Sequence, residues 1–187
     1  SQHTKMDLIE LYNIDPARID VLHLGLDPIF LRQYEQEYYQ SIRDKYELPE
    51  KYILFLSTLE PRKNVSTLIR AFDLIAQSHS EYKLVLAGKW GWQTDEIRET
   101  LKQEKYKDRI IHLGYVDRND KPGLYAMADL FVYPSFYEGF GFPVLEALSQ
   151  SCQVISSDSS SLSEVLGEHA ILLPPHDERL FAEAIDD

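Results

Sequence analysis

The chain has 187 residues, with 31 acidic against 19 basic side chains and a formal net charge of −12. At roughly 150 residues per domain this is one full domain with a remainder, and 44% hydrophobic with 12% aromatic residues excludes a disordered chain. The acidic balance argues against a protein that coats nucleic acid or an anionic membrane, and the single cysteine, Cys152, excludes an intrachain disulfide and a Cys-based zinc cluster and fits a reducing, cytoplasmic compartment.

No apolar run is long enough to span a bilayer, and the polar start, Ser1 to Glu10, is not expected to be a signal peptide. Met6 to Tyr12 reads as helical, Ile19 to Leu24 as a strand, and Gly25-Leu-Asp-Pro28 as turn chemistry. Gln33 to Lys45 is charged, with Tyr34, Tyr38 and Tyr39 at helical steps. Residues 1–48 do not share the pattern that follows. They are expected to be the tail of a preceding domain and a linker, with the domain itself over 49–187. A first residue that is Ser and a helical pattern cut short at 181–187 predict a piece of a longer protein.

From Tyr52 onward, apolar β-rich runs alternate with stretches of helical period. Tyr52 to Ser57 is a nearly continuous apolar run, as a strand buried on both faces requires. Val65, Leu68, Ile69, Phe72, Ile75 and Ala76 then recur at three- and four-residue steps, an amphipathic helix with Asn64 expected as its N-cap. Strands follow at Lys83–Ala87, Arg109–Leu113, Leu130–Tyr133, Val154–Ser156 and Ala170–Leu173. Helices are expected at Asp95–Glu104, Pro122–Ala128, Pro143–Gln150 and Leu162–Leu166, with one more beginning near the end. Six strands alternating with helices predict a Rossmann-like α/β fold, a parallel sheet with helices on both faces.

Ligands of open α/β sheets bind at the carboxyl ends of the strands, so the residues after each strand carry the weight. Arg62 and Lys63 follow the first strand as adjacent cations. They fit an anion site through charge-assisted hydrogen bonds, and equally a solvated basic pair on a loop. Gly88-Lys-Trp-Gly-Trp92 either lets a ligand approach the backbone or forms a turn covered by indoles. Gly114-Tyr-Val116 offers a ring and free backbone groups to a nucleobase.

The segment from Pro134 to Glu146 is the most informative. Gly139 and Gly141 flank a helix N-terminus, where unpaired N–H groups and the dipole favour an anion such as a diphosphate. Glu138 and Glu146 would repel phosphate but suit sugar hydroxyls, as an acidic residue holds ribose in dinucleotide folds. Cations and amides for phosphates, with a carboxylate at each end for hydroxyls, describe a diphosphate sugar. There is no G-x-G-x-x-G after the first strand and no P-loop. The six histidines lack metal-ligand spacing; His112, within a strand, is expected to be a satisfied near-core residue.

These residues resemble the C-terminal half of the retaining GT-B glycosyltransferases of family 4 (glycosyl transferases group 1). Glu138 and Glu146 stand as the E-x7-E element of that family, preceded by Pro134-Ser135 and containing Gly139-Phe140-Gly141. Thr58 to Asn64, Leu113 to Val116, Ala128-Asp129, and Ser160-Ser-Leu162 with Glu164-Val165 match as well. The resemblance implies the C-terminal domain of a GT-B fold in which Arg62 and Lys63 neutralise the donor diphosphate. Glu146 would hold the ribose, and Gly114, Tyr115 and Val116 would lie near the base. Glu138, with the amides of Gly139, Phe140, Gly141 and Phe142, would orient the donor sugar.

It further implies retention of configuration and no metal or other cofactor. The wording of the motifs is most similar to bacterial mannosyltransferases of cell-surface polysaccharide synthesis. GDP-mannose is therefore the first donor expected and a UDP-sugar the second. A glycan or lipid-linked acceptor would be held by the N-terminal domain, with peripheral membrane association of the parent protein. Ser57, Ser151, Gln153 and Ser163 depart from the family pattern, the first close to the phosphate loop. Two other classes are weighed: a nucleotide-sugar-binding module without turnover, and a glycoside hydrolase using Glu138 and Glu146 as acid and base.

Overall fold

The computed structural model describes residues 1–187. In chain order the elements are α1 (Gln2–Tyr12), α2 (Gln36–Tyr46), β1 (Tyr52–Leu56), α3 (Val65–Ile75), β2 (Lys83–Ala87), α4 (Asp95–Gln103) and β3 (Ile110–Gly114). They continue as α5 (Lys121–Ala126), β4 (Leu130–Tyr133), α6 (Phe142–Ser149), β5 (Gln153–Ser157), α7 (Ser161–Leu166), β6 (Ile171–Leu173) and α8 (Glu178–Asp186). The sheet has the order β3-β2-β1-β4-β5-β6, and every pairing is parallel.

The strand burial follows from that order. β1 lies at the centre and is buried at all five residues, which is why its sequence is apolar without alternation. The edge strand β3 is only half-buried along its length. α3, α4 and α8 pack together as one layer, while α5, α6, α7 and α2 form the other. α3 turns Val65, Leu68, Ile69, Phe72 and Ile75 inward, each contributing roughly 1.5–3 kcal/mol by leaving water.

The chain ahead of residue 49 joins the same core through Ile29, Phe30, Ile42 and Leu48. α2 packs on α5 and α1 on α7. The strand expected at Ile19–Leu24 does not form. Alternation makes a strand possible, but it needs a sheet edge to pair with, and Leu22 stays 84% exposed.

Asn64 occupies the N-cap position of α3, yet its side chain does not cap the helix. Its Nδ2 donates to the carbonyls of Pro134 (3.1 Å) and Pro175 (2.6 Å), and its Oδ1 accepts from Thr67 Oγ1 (2.8 Å). A left-handed backbone at φ 53° points the amide across the strand ends instead, so it ties three loops together. No helix is long and apolar enough to cross a membrane.

Candidate functional site

The strand order reverses direction between β1 and β4, so the connections leaving these two strands diverge and open a crevice at their carboxyl ends. The 3-10 turn Pro61–Lys63 forms one wall, and the loop from Pro134 to Gly141 forms the other. Their backbones are fastened together: Phe136 N–H donates to Arg62 O at 2.9 Å, with Ser135 Oγ 3.1 Å from the same oxygen.

Across this crevice the structure brings Arg62, Lys63 and Glu138 into one cluster. Lys63 Nζ lies 2.6 Å from Glu138 Oε1 and Arg62 NH1 lies 3.0 Å from Oε2. Oε1 also accepts from Ser135 Oγ (2.7 Å) and Tyr133 OH (3.0 Å), and Lys63 Nζ donates to Tyr133 OH (2.7 Å). Lys63 and Glu138 are 6% and 7% exposed, so Lys63 is not a solvated loop cation. Arg62 is more open, with NH2 2.8 Å from Glu60 Oε1 and NH1 2.6 Å from Tyr137 O.

Burial opposes ionisation of Glu138. Hydrogen bonds from Lys63 and Ser135 and the charges of Lys63 and Arg62 outweigh it and hold the carboxyl below its ordinary value. The same burial pulls the Lys63 ammonium down, against the opposing pull of Glu138.

Beyond Glu138 the chain turns into α6 through Gly141, whose φ of +98° favours glycine. A Cβ there would lie 2.8 Å from Leu162 Cδ2. The N–H groups of residues 139–142, in the loop before α6 and at its first residue, donate no hydrogen bond within the chain. The Gly139 carbonyl, by contrast, is taken by Ser1 Oγ (2.9 Å) and Thr4 Oγ1 (3.2 Å). That contact belongs to the start of α1, whose Gln2 and His3 N–H groups donate to the Glu164 carboxylate.

Glu146 sits one turn inside α6, 9% exposed. Its Oε2 accepts from Tyr125 OH at 2.9 Å and lies 3.6 Å from Lys121 Nζ. Burial and the Glu146 charge raise the Tyr125 phenol, so it stays a donor to that carboxylate. Gly114, Tyr115 and Val116 form a third group at the end of β3. Gly114 has φ +71°, Val116 is buried, Tyr115 is 63% exposed, and Lys89 Nζ stands 4.6 Å above the Tyr115 ring.

The Gly88–Trp92 segment resolves toward packing. A Cβ on Gly88 would come within 1.9 Å of Ser57 O, and Gly91 N–H donates to Leu59 O (2.8 Å). These glycines admit the backbone that follows β1, rather than a ligand. Trp90 packs on His112 and Arg98. His112 Nε2 lies 2.8 Å from Gly88 O, a satisfied histidine as expected.

Sequence reasoning missed Tyr133 and Ser135 as partners of Glu138, and Tyr125 and Lys121 as partners of Glu146. Only Ser135, inside the Pro134-Ser135 motif, carried a signal that could have found it.

An open parallel sheet of this order, with cations and helix-start amides gathered at its switch point, is the C-terminal domain of a GT-B fold. The chain belongs to the family of glycosyl transferases group 1, whose model matches residues 39–187. O-antigen chain mannosyltransferase B of Escherichia coli is 36% identical over 179 residues, covering 95% of this chain and 47% of that protein. The serotype-specific mannosyltransferase WbdA of E. coli is 34% identical over 197 residues, covering all of this chain and 24% of that protein. The chain thus spans less than half the length of these curated relatives.

The solved C-terminal domain of a glycosyl transferase group 1 family protein (LpcC) from Francisella tularensis matches with a TM-score of 0.73 and 25% identity, over 87% of this chain and 86% of that one. Anabaena Alr3699/HepE, crystallised with UDP and glucose, shares the fold with a TM-score of 0.84 at 24% identity, over 100% of this chain and 51% of that one.

Proposed function

We propose that this chain supplies the donor half of a glycosyltransferase that moves a hexose from a nucleoside diphosphate sugar to a glycan or lipid-linked acceptor. The observation that carries the reading is the Arg62–Lys63–Glu138 cluster across the β1–β4 crevice, beside the unpaired amides of residues 139–142. Mannose is the first sugar proposed, because relatives covering 95% and 100% of the chain are named mannosyltransferases. GDP-mannose is the corresponding donor, with a UDP-sugar second.

In this reading the departing diphosphate lies against the amides and the open side of Arg62, whose guanidinium is 40% exposed and held by Glu60, Glu138 and the Tyr137 carbonyl. Preorganised donors of that kind stabilise charge as it develops on the leaving group, without a metal. Lys63 holds Glu138 ionised, and the carboxylate accepts from hydroxyls of the donor sugar. Glu146 accepts from the ribose, Tyr125 and Lys121 fixing its rotamer, and residues 114–116 flank the base. Transfer proceeds with retention of configuration. Residues 1–48 close a preceding domain and link it to this one. The acceptor binds on that domain, which brings the parent protein to the membrane periphery.

Hydrolysis by an acid–base pair is the poorer reading. Two cations stand 2.6 and 3.0 Å from Glu138 and hold its carboxyl below the ordinary value, which unsuits it as the general acid of such a pair. Calorimetric titration of the 187-residue chain with GDP, UDP, ADP, GDP-mannose and UDP-glucose tests the proposal. Binding of a nucleoside diphosphate and its sugar supports the donor-site reading. Binding of none refutes it.

A further inference from the structure

The start of α7 holds two serines, Ser160 at its N-cap and Ser161 as its first residue, to which the donor-site reading gives no task. Ser160 has φ 53° and ψ −131°, a conformation natural to glycine and strained for a residue with a Cβ. Strain of this kind persists only where the surroundings over-determine it, and it concentrates at functional sites. Here the surroundings are the backbone of Glu138. Its N–H donates to Ser160 Oγ at 2.8 Å, and its C=O accepts from the buried Ser161 Oγ at 2.8 Å.

These two bonds fix two peptide planes. All peptide bonds here are trans, so the C=O and N–H of each plane point in opposite directions. With Glu138 N–H turned to Ser160, the Tyr137 carbonyl must face the other way. There it meets Arg62 NH1 at 2.6 Å. With the Glu138 carbonyl turned to Ser161, the Gly139 N–H must likewise face away from α7, and it has no acceptor within the chain.

We propose that Ser160 and Ser161 are positioning residues of the donor site. By pinning both polar groups of the Glu138 main chain, they set the Glu138 carboxylate between Lys63 and Arg62 and aim the Gly139 amide at the sugar-bearing phosphate. This rests on the donor-site reading above. It adds the element that holds the donor loop in its binding shape.

The informative substitution is Ser160→Gly, because it relieves the strained backbone while deleting the hydroxyl. A purely structural serine would give a variant in which melting temperature and all ligand affinities move together. A positioning serine separates them. The melting temperature of Ser160→Gly should equal or exceed that of the parent chain, while its affinity for the sugar nucleotide falls about tenfold, the size of one lost hydrogen bond to a charged group. Affinity for the corresponding nucleoside monophosphate should not change. The probes are GDP-mannose with GMP, and UDP-glucose with UMP.

Ser161→Ala, which keeps the backbone conformation, should shift the same ratio in the same direction. Either variant retaining the parent's ratio of sugar-nucleotide to monophosphate affinity overturns the proposal, as does a loss shared equally by both ligands. If the parent chain binds neither pair, the donor-site reading itself has failed and this proposal falls with it.

Discussion

Removing the Glu138 carboxylate while keeping its shape, by Glu138→Gln, leaves the Lys63 ammonium in a site where it is 6% exposed. Lys63 then keeps only Tyr133 OH at 2.7 Å and a neutral amide oxygen. Breaking a buried pair from one side costs roughly 3–5 kcal/mol, because a charge is left uncompensated. In a chain of 150–250 residues each kcal/mol shifts the melting temperature by roughly 2–4 °C, so the variant should melt roughly 6–20 °C lower.

Lys63→Met is milder. Glu138 still has Arg62 at 3.0 Å and the hydroxyls of Ser135 and Tyr133. The double variant removes both charges and should lie closer to the parent than the sum of the two single losses, with a coupling of roughly 0.5–3 kcal/mol. Urea unfolding with a constant slope gives all three free energies. A Glu138→Gln loss below about 1 kcal/mol, together with an additive double variant, would refute the view that this cluster is a desolvated, mutually dependent pair.

The remaining predictions concern ligand binding and acid. Glu146→Ala should weaken nucleoside diphosphate binding by well over tenfold, since loss of a buried charged partner costs roughly 2–5 kcal/mol; unchanged calorimetric affinity in a variant with native circular dichroism would remove the ribose role. Arg62→Ala should weaken GDP far more than guanosine, whereas equal and small effects on both would return Arg62 to the solvent. Because Glu138 is held below its ordinary value of 4.5, its contribution to stability is complete above that pH and is lost as the pH falls through the lowered value. Urea midpoints measured between pH 6 and 3 should therefore fall less steeply for Glu138→Gln than for the parent, and parallel curves would contradict the ion pair.

Much of the fold was legible because the sheet strands are short apolar runs and the helices between them follow three- and four-residue steps. β2 at Lys83–Ala87 and β4 at Leu130–Tyr133 fall where the apolar runs placed them, and α3 follows its three- and four-residue steps. Parallel topology followed from alternation alone, since parallel strands need crossovers. The run at Ile19–Leu24 shows the limit of that reasoning, because strand formation depends on a free edge that no local pattern reports.

The same division holds within the site. The sequence singled out Arg62, Lys63 and Glu138 as charged residues in the loops that follow strands, and Glu146 as a carboxylate one turn into the helix after a glycine-rich loop. It left open whether Lys63 was a surface cation or a buried one, and whether Gly88 served a ligand or its own backbone. Tertiary structure decided both. It set Lys63 opposite a carboxylate 75 positions along the chain, and it pressed Gly88 against Ser57 O. Residue type and spacing are local properties of the chain. Burial and pairing arise only when distant segments meet, and they determine which charges are held in place and which remain free to bind.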